Sequence, residues 1–259
     1  MAPIDPVTVY PLEGLPEIRP GDDLPQLMVQ ALAARKMPLR DGDVVVVAQK
    51  VVSKAEGSRV ALAAVEPSPY ARRWAERWGK DPRMVELVLR ESRRIVRMER
   101  GVIIAETHHG YVCANAGVDL SNSGAEEFAI LLPEDCDRSA AVLRDRLRAH
   151  CGKDGADVEL AVIVADTFGR PWRNGATDVA IGVAGIDPIH SYVGQMDSHG
   201  HEMFTTEIAV GDELAAAGEL VGGKVAGVPV SIIRGYDYIP MEDASIQRIL
   251  RGSDKDLFR

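Results

Sequence analysis

The stretch Leu160-Ala-Val-Ile-Val-Ala165-Asp166-Thr167-Phe168-Gly169-Arg170-Pro-Trp-Arg173-Asn174-Gly175 is the most informative part of this chain. Its first six residues are all apolar, and their valine and isoleucine content predicts a fully buried strand. Asp166 and Thr167 follow, and their oxygens suit a hard cation such as Mg²⁺ or Mn²⁺. Arg170 and Arg173 suit phosphate or carboxylate oxygens, which a guanidinium binds in bidentate fashion. Taken alone, the segment fits a polar strand cap with solvated arginines equally well.

A second segment, Asn115-Ala-Gly-Val-Asp119-Leu-Ser121-Asn122-Ser123-Gly124, favours the cation site. It also follows a predicted strand, and it places Asp119 in a predicted loop rich in Asn, Ser and Gly. A single loop of this kind is usually explained by turn chemistry. Two strand-terminal loops that each carry an aspartate indicate a metal–phosphate site, because Mg²⁺ is typically held by one or two carboxylates together with water and substrate phosphates.

Lysines in two further segments are relevant to phosphate binding. Lys54, in Ser53-Lys54-Ala-Glu56-Gly57, follows a predicted buried strand and suits a phosphate as a point charge. A surface Lys–Glu pair of little energetic value is the simpler interpretation of that segment alone. Gly222-Gly223-Lys224 is not a Walker loop, because it lacks the earlier glycine and the Ser/Thr after the lysine, and it follows a predicted helix. Any nucleotide is therefore expected to bind in another way.

The composition excludes several classes of protein. A net charge of −9 over 259 residues argues against sequence-independent nucleic-acid binding, which requires a basic face. The three cysteines form no CxxC pair and indicate free thiols in a reducing compartment. Neither a signal peptide nor an apolar run long enough to span a membrane is recognisable. We therefore expect a cytoplasmic protein without nucleic-acid or membrane partners.

The predicted elements indicate an α+β fold with mixed sheets and packed helices. Strands are expected at residues 7–10, 44–48, 102–106, 111–114, 160–165, 178–185 and 228–234. Helices are expected at residues 24–35, 138–150 and 212–220, with two more over residues 67–100, broken near 79–82. Because strands occur both in hairpins and after helices, a mixed architecture fits better than a regular βαβ array.

In their order and density, these segments resemble the coenzyme F420-0:L-glutamate ligases, the gamma-glutamyl ligases of F420 biosynthesis. The resemblance covers nearly the whole chain and also includes the segments 13–18, 20–24, 41–57, 206–209, 212–213 and 227–235. It implies one ligase domain over residues 1–259, in a single-domain form with a fold peculiar to the family. Two intertwined α+β subdomains are the alternative organisation.

The resemblance further implies a homodimeric ligase that consumes GTP, forms GDP and adds L-glutamate to F420-0, with F420-1 as a further acceptor. The reaction is expected to proceed through an acyl-phosphate intermediate. Two divalent ions, Mg²⁺ or Mn²⁺, are expected, and a monovalent cation such as K⁺ is a further candidate. Another metal-dependent, GTP-using phosphoryl transferase and a non-catalytic nucleotide-binding protein are the alternative functions.

The resemblance also implies roles for individual residues. Asp119 and Asp166 are expected to bind metal, and Thr167 is expected to assist a second ion. The expected GTP site comprises Leu15, Pro16, Glu17, Ile18, Gln49, Lys54 and Asn122, with the stretch Val221–Val228, including Gly222, Gly223 and Lys224, closing over the nucleotide. Some members offer a side-chain oxygen to the second metal near the position of Gly223, where this chain has two glycines and a lysine. Asp119, Asp166 and Lys54 are expected to be catalytic; Arg170 and Arg173 are added from their chemistry alone.

Overall fold

A computed structural model describes residues 6–123, 126–151, 158–252 and 254–257, without the side chains of residues 121–123 and 126. Its strands are β1 (Thr8–Pro11), β2 (Asp43–Ala48), β3 (Arg59–Ala61), β4 (Ser92–Glu99), β5 (Val102–Thr107), β6 (Val112–Ala114), β7 (Asp119–Ser123), β8 (Glu126–Ile130), β9 (Leu160–Gly169), β10 (Ala176–Ala184), β11 (His190–Ser191), β12 (Glu207–Ile208) and β13 (Val230–Arg234). Its helices are α1 (Leu24–Ala34), α2 (Gln49–Glu56), α3 (Pro69–Trp78), α4 (Pro82–Arg90), α5 (Cys136–Cys151) and α6 (Val210–Gly222). These elements confirm the predicted α+β class.

A five-stranded mixed sheet with the order β1-β13-β2-β9-β10 forms the centre of the larger core. Strands β2 and β9 run parallel, and the other neighbours are antiparallel. The residues Val44–Val47 and Leu160–Ala165 are all buried, since helices cover both faces of this part of the sheet. The prediction of a fully buried strand in the segment after residue 159 is therefore confirmed.

Two glycines allow the helices to approach the sheet closely from opposite sides. A Cβ at Gly182 would lie 2.2 Å from the carbonyl oxygen of Cys136, at the start of α5. A Cβ at Gly218 would lie 2.6 Å from the hydroxyl of Ser231 and 3.0 Å from Val46, so α6 packs on these two strands. Gly182 pairs with Val164, which in turn pairs with Val47, so these three residues lie on the same face of the sheet. Since side chains alternate along a strand, the side chain of Val46 lies on the other face. Helices α5 and α6 therefore cover opposite faces.

A second cluster of buried apolar side chains is drawn entirely from residues 62–129. It is enclosed by α3, α4 and two three-stranded sheets, with the orders β4-β5-β6 and β3-β8-β7. In the chain this segment lies between α2 and α5, which both pack on the larger core. Two cores do not test whether the parts fold independently, so the domain organisation stays a prediction.

The structure corrects the prediction that helices extend to residue 100. The segment Ser92–Glu99 is strand β4, paired with β5 through two register shifts. Each shift inserts a bulge that interrupts the alternation of the side chains. Burial along β4 consequently recurs every three residues, at positions 92, 95 and 98, and this spacing resembles that of a helix.

Three further features differ from prediction. Asp119 is the first residue of strand β7 and does not lie in a loop. Asp166 and Thr167 lie within β9, because β9 continues to Gly169 in a hairpin with β10. Helix α2 was not predicted; its eight residues begin directly where β2 ends, and no side chain caps its N-terminus. A helix this short carries little periodic signal.

Asp43 and Arg234 form a paired contact at the edge of the sheet where β2 begins. Asp43 is fully buried, and its Oδ1 and Oδ2 each lie 2.7 Å from a guanidinium nitrogen of Arg234. Asp43 Oδ2 also accepts the N–H of Arg40 at 2.8 Å. The pair therefore joins the first residue of β2 to the last residue of β13.

The remaining expectations concern cysteines and membranes. The thiols of Cys113, Cys136 and Cys151 are free, as predicted. Among the described residues, no helix has both the length and the apolar character that crossing a bilayer requires.

Candidate active site

A cleft of about 780 Å³ opens at the edge of the central sheet where β2 and β9 end. The two strands are parallel and pair Ala48 with Ala165, so both deliver their following residues to the same edge. The antiparallel strands β10 and β13 begin at this edge and bring Asp178 and Val230 to it. Ligands of open α/β sheets commonly bind outside the carboxyl ends of the strands. The cleft is therefore the candidate active site.

One wall of the cleft is the N-terminus of α2. Lys50 and Val51, in its first turn, line the cleft, and the first four N–H groups of a helix have no partner within the helix. Such an end attracts phosphates through its N–H groups and its dipole. Lys54 lies one turn further on, with its Nζ 3.8 Å from Glu17 Oε1. The buried amide of Gln49 donates to the Ser53 hydroxyl at 2.6 Å and to a backbone carbonyl, so it holds the helix in place.

The carboxylates of Asp119 and Asp166 face the cleft from the two different cores. Lys50 Nζ lies 2.9 Å from Asp119 Oδ2, and the N–H of Thr167 donates to Asp166 Oδ1 at 2.8 Å. Burial raises the pKa of Asp166 to about 6, and the charges of Asp119 and Asp178 act in the same direction. The Thr167 N–H and Lys50 oppose that rise. The negative charge of these carboxylates is therefore only partly compensated by Lys50 and the Thr167 N–H.

This pair of carboxylates fits a divalent cation shared with a phosphate ligand. Within the described ranges, no group of three or more His, Cys, Asp or Glu side chains is arranged to hold a metal ion by itself. Mg²⁺ in nucleotide enzymes commonly takes one or two carboxylates and completes its shell with water and phosphate oxygens. Asp119 and Asp166 meet that requirement, whereas a metal site made of protein ligands alone is not supported in this part of the chain.

A second polar cluster lies beside the first, around Thr167. Thr167 and Asp178 are cross-strand partners in the β9–β10 hairpin, and the threonine hydroxyl donates to the aspartate. The ammonium of Lys224 donates to the Thr167 hydroxyl and lies 3.3 Å from Asp178 Oδ1 and 3.7 Å from Glu219 Oε1. Since side chains alternate along a strand, Asp166 and Thr167 point to opposite faces of β9. Thr167 lies on the face covered by α6.

Most of the predicted site residues line this one cleft. They are Leu15, Pro16, Glu17, Ile18, Gln49, Lys54, Asp119, Asp166, Thr167, Gly222, Gly223 and Lys224. Arg170 and Arg173 are exposed in the connection between β9 and β10 and are not among the lining residues. Asn122 belongs to β7, but its side chain lies outside the described part of the chain. The roles assigned to these three residues stay predictions.

Three charged residues of the cleft were missed by the sequence analysis: Lys50, Asp178 and Glu219. Lys50 follows the buried strand β2 by two positions, and this is the same signal that singles out Lys54. Asp178 reaches the site through its cross-strand register with Thr167, and register is not apparent from the sequence of either strand. Glu219 reaches it through the packing of α6, a tertiary contact.

Comparisons with known proteins identify the family of this chain. The family model described as F420-0:Gamma-glutamyl ligase matches residues 14–235. Three similar curated proteins are each named Coenzyme F420:L-glutamate ligase. That of Methanothermobacter thermautotrophicus is 45% identical over 98% of this chain and 99% of its own length. That of Methanopyrus kandleri is 46% identical over 99% and 97%, and that of Methanocaldococcus jannaschii 38% over 98% and 97%. The chain belongs to the F420-0:gamma-glutamyl ligase family and is therefore a ligase.

Proposed function

We propose that this chain joins L-glutamate to coenzyme F420-0, with F420-1 as a further acceptor, in a reaction driven by GTP and a divalent metal ion. The observation that carries the proposal is the convergence of a helix N-terminus, two carboxylates and several lysines on one cleft. Its volume of about 780 Å³ lies within the usual range for small-molecule sites, roughly 300–1,000 Å³. The substrates proposed, F420 and L-glutamate, are those that the names of the relatives give for those proteins.

The phosphates of GTP would bind at the first turn of α2. Residues of this turn line the cleft, no side chain caps its N–H groups, and Lys54 adds a positive charge one turn later. Leu15, Pro16 and Ile18 line the neighbouring part of the cleft and offer apolar contacts to the nucleoside. The stretch 222–224 and residues 227–228 border the same space and would cover the nucleotide.

Asp119 and Asp166 would hold the divalent ion, Mg²⁺ or Mn²⁺. When bound, such an ion would neutralise phosphate charge as the γ-phosphoryl group is transferred. Asp166 approaches from β9 and Asp119 from the start of β7, so the two carboxylates reach the ion from different directions. Lys50, whose Nζ lies 2.9 Å from Asp119 Oδ2, neutralises part of the negative charge of the two carboxylates.

A free carboxylate must be activated before it can form an amide in water. An oxygen of the F420-0 carboxylate would attack the γ-phosphorus of GTP; the bond to the β-phosphate oxygen breaks, leaving GDP and an acyl phosphate. The amine nitrogen of L-glutamate would then attack the acyl carbon, lose a proton and displace phosphate. Lys54 would balance the charge of the phosphates. Arg170 and Arg173 are proposed to guide the carboxylate substrates towards the cleft, because guanidinium groups suit carboxylate oxygens.

Measuring GDP release tests the proposed class of reaction. We expect release only when F420-0, L-glutamate and Mn²⁺ are all present, and little release of ADP when ATP replaces GTP. Release that does not depend on L-glutamate would favour another phosphoryl transferase. Nucleotide binding without turnover under any combination would favour a non-catalytic binding protein. Mass spectrometry of the product would count the glutamates added.

The variant Asp166→Asn tests the metal assignment. We expect ligase activity to fall by more than the roughly 10–100-fold that follows loss of a residue that merely orients a metal ligand. Its free energy of unfolding should be unchanged or higher, because burial and two neighbouring carboxylates disfavour the ionised form of Asp166. Urea denaturation measures that quantity, and Asp145→Asn on the exposed side of α5 is the matched control. Near-normal activity in Asp166→Asn would contradict the assignment.

We also propose that the chain acts as a homodimer. Met196 and Phe204, in the segment between β11 and β12, present large apolar side chains that are mostly exposed. Exposed apolar groups close together on a surface are typical of protein interfaces. Light scattering coupled to size-exclusion chromatography should give twice the mass of the chain, and the double variant Met196→Ser/Phe204→Ser should shift the species towards the monomer.

A further inference from the structure

We propose that the ammonium of Lys224 takes the place of a second divalent ion in this chain, so that the nucleotide binds with one divalent ion and one fixed lysine. This inference rests on the proposed GTP- and metal-dependent function. It concerns the cluster of Thr167, Asp178, Glu219 and Lys224, which lies on the other face of β9 from Asp166. The family resemblance implies a second ion assisted by Thr167, so the two possibilities differ in the number of ions bound.

The donors and acceptors of this cluster match one another without an additional cation. A lysine ammonium carries three N–H donors, and Lys224 has three oxygen neighbours: the Thr167 hydroxyl, Asp178 Oδ1 at 3.3 Å and Glu219 Oε1 at 3.7 Å. The Thr167 hydroxyl accepts from Lys224 and uses its own proton to donate to Asp178. The hydroxyl, the ammonium and the two carboxylates therefore each act as a donor or an acceptor in this network.

The two acidic clusters of the cleft differ in how their charges are balanced. In the described part of the chain, Lys50 is the lysine that contacts this pair, at Asp119, and Asp166 accepts its hydrogen bond from an uncharged backbone N–H, that of Thr167. Around Thr167, the single charge of Lys224 is shared by both carboxylates. A divalent ion there would compete with the ammonium for the same oxygens and would be repelled by its charge. The cluster of Asp119 and Asp166 can therefore accept a metal ion, whereas the cluster around Thr167 already contains a cation, the ammonium of Lys224.

The backbone after α6 explains how Lys224 reaches this position. A Cβ at Gly222 would lie 2.8 Å from the carbonyl oxygen of Val228, so only glycine permits this close approach of the chain on itself. Gly223 has a φ of 57°, a left-handed conformation that glycine adopts without strain. Together they turn the chain from the end of α6 back towards the β9–β10 hairpin. With 60% of its side chain exposed, Lys224 still borders the cleft and can also contact a phosphate oxygen.

Counting bound Mn²⁺ on the full chain, in the presence of a non-hydrolysable GTP analogue, tests the proposal. We expect one Mn²⁺ per chain in the unmodified protein and in Lys224→Arg, which keeps the charge. In Lys224→Gln, which leaves Thr167, Asp178 and Glu219 without a cation, we expect two. Lys80→Gln, an exposed lysine between α3 and α4, is the control and should bind one. Electron paramagnetic resonance should show an isolated six-line signal for one ion and dipolar broadening for two.

The dependence of nucleotide affinity on metal concentration provides a second readout that does not need turnover. Below saturation, log Kd for the analogue should fall with log [Mn²⁺] with a slope near one in the unmodified chain and near two in Lys224→Gln. Two ions in the unmodified chain, or one ion and an unchanged slope in a folded Lys224→Gln, would overturn the inference and leave the proposed function intact. Absence of Mn²⁺ binding in the unmodified chain would overturn both.

Discussion

Replacing Asp43 by asparagine should separate the stability of the fold from the chemistry of the cleft. Asp43 begins β2 at the edge of the sheet opposite the cleft, and it is fully buried. Both of its oxygens lie 2.7 Å from the guanidinium of Arg234, and one also accepts the N–H of Arg40. Asparagine has nearly the same shape but no charge, and it offers one acceptor oxygen where aspartate offers two.

The expected loss in free energy of unfolding follows from these contacts. Hydrogen bonds to charged groups contribute about 1.5–3 kcal/mol each, and leaving one partner of a buried ion pair costs about 3–5 kcal/mol. Arg234 keeps a hydrogen bond to the Pro38 carbonyl at 3.0 Å, and 18% of its side chain is exposed, so it can recover part of this loss. We therefore expect Asp43→Asn to destabilise the protein by about 2–4 kcal/mol.

Urea denaturation of the single variants and of the double variant Asp43→Asn/Arg234→Gln measures this effect. Arg234→Gln removes the charge that Asp43→Asn leaves unpaired, so the double variant should lose less stability than the sum, with a coupling of about 2 kcal/mol. Ligase activity well below the unfolding transition should be unchanged. A loss below about 1 kcal/mol, the value of an exposed ion pair, or strictly additive effects, would refute the reasoning.

Three further predictions concern packing, pH and substrate capture. Gly182→Ala should lower the free energy of unfolding by more than about 3 kcal/mol or prevent folding, because the added Cβ would lie 2.2 Å from a backbone oxygen of α5. Gly57 has a φ of 77° and open space around it, so Gly57→Ala should lower the free energy of unfolding by only about 1 kcal/mol in the same thermal denaturation series. Because the pKa of Asp166 is about 6, protons should compete with metal below that pH, and calorimetric Mn²⁺ affinity should fall about tenfold from pH 7 to pH 5; an unchanged affinity would exclude Asp166 as a ligand. Arg170→Ala and Arg173→Ala should raise KM for F420-0 or L-glutamate without altering KM for GTP, and unaltered kinetics would remove both residues from the mechanism.

The sequence was sufficient to predict the buried strands and to single out the polar residues that follow them. Continuous apolar runs predicted β2 and β9, and the polar residues immediately after such runs were proposed as site residues. Lys54 and Asp166 line one cleft, although 111 residues lie between them, because the parallel strands that precede them end at a common edge. The arrangement follows from strand direction alone.

Features that depend on register or tertiary packing could not be predicted in this way. The bulges of β4 space its less exposed residues three apart, as in a helix, so the pattern predicts a helix where a strand forms. Asp178 is ordinary in its own strand and becomes part of the site only through its pairing with Thr167. Glu219 becomes part of the site only because α6 packs on the central sheet beside the cleft.

The alternation of Asp166 and Thr167 has a consequence for how such sequences evolve. Because the two side chains point to opposite faces of β9, their sets of direct contacts differ: Thr167 contacts Asp178 and Lys224, whereas Asp166 lies near Asp119 and Lys50 and is influenced by Asp178 through its charge alone. Selection can therefore change one set while the other stays intact. Among homologues, the residue at position 167 should covary with positions 178 and 224, and its immediate neighbour at 166 should covary with 119. The adjacent residues Asp166 and Thr167, which resemble a single motif, would then evolve independently as two halves of the candidate active site.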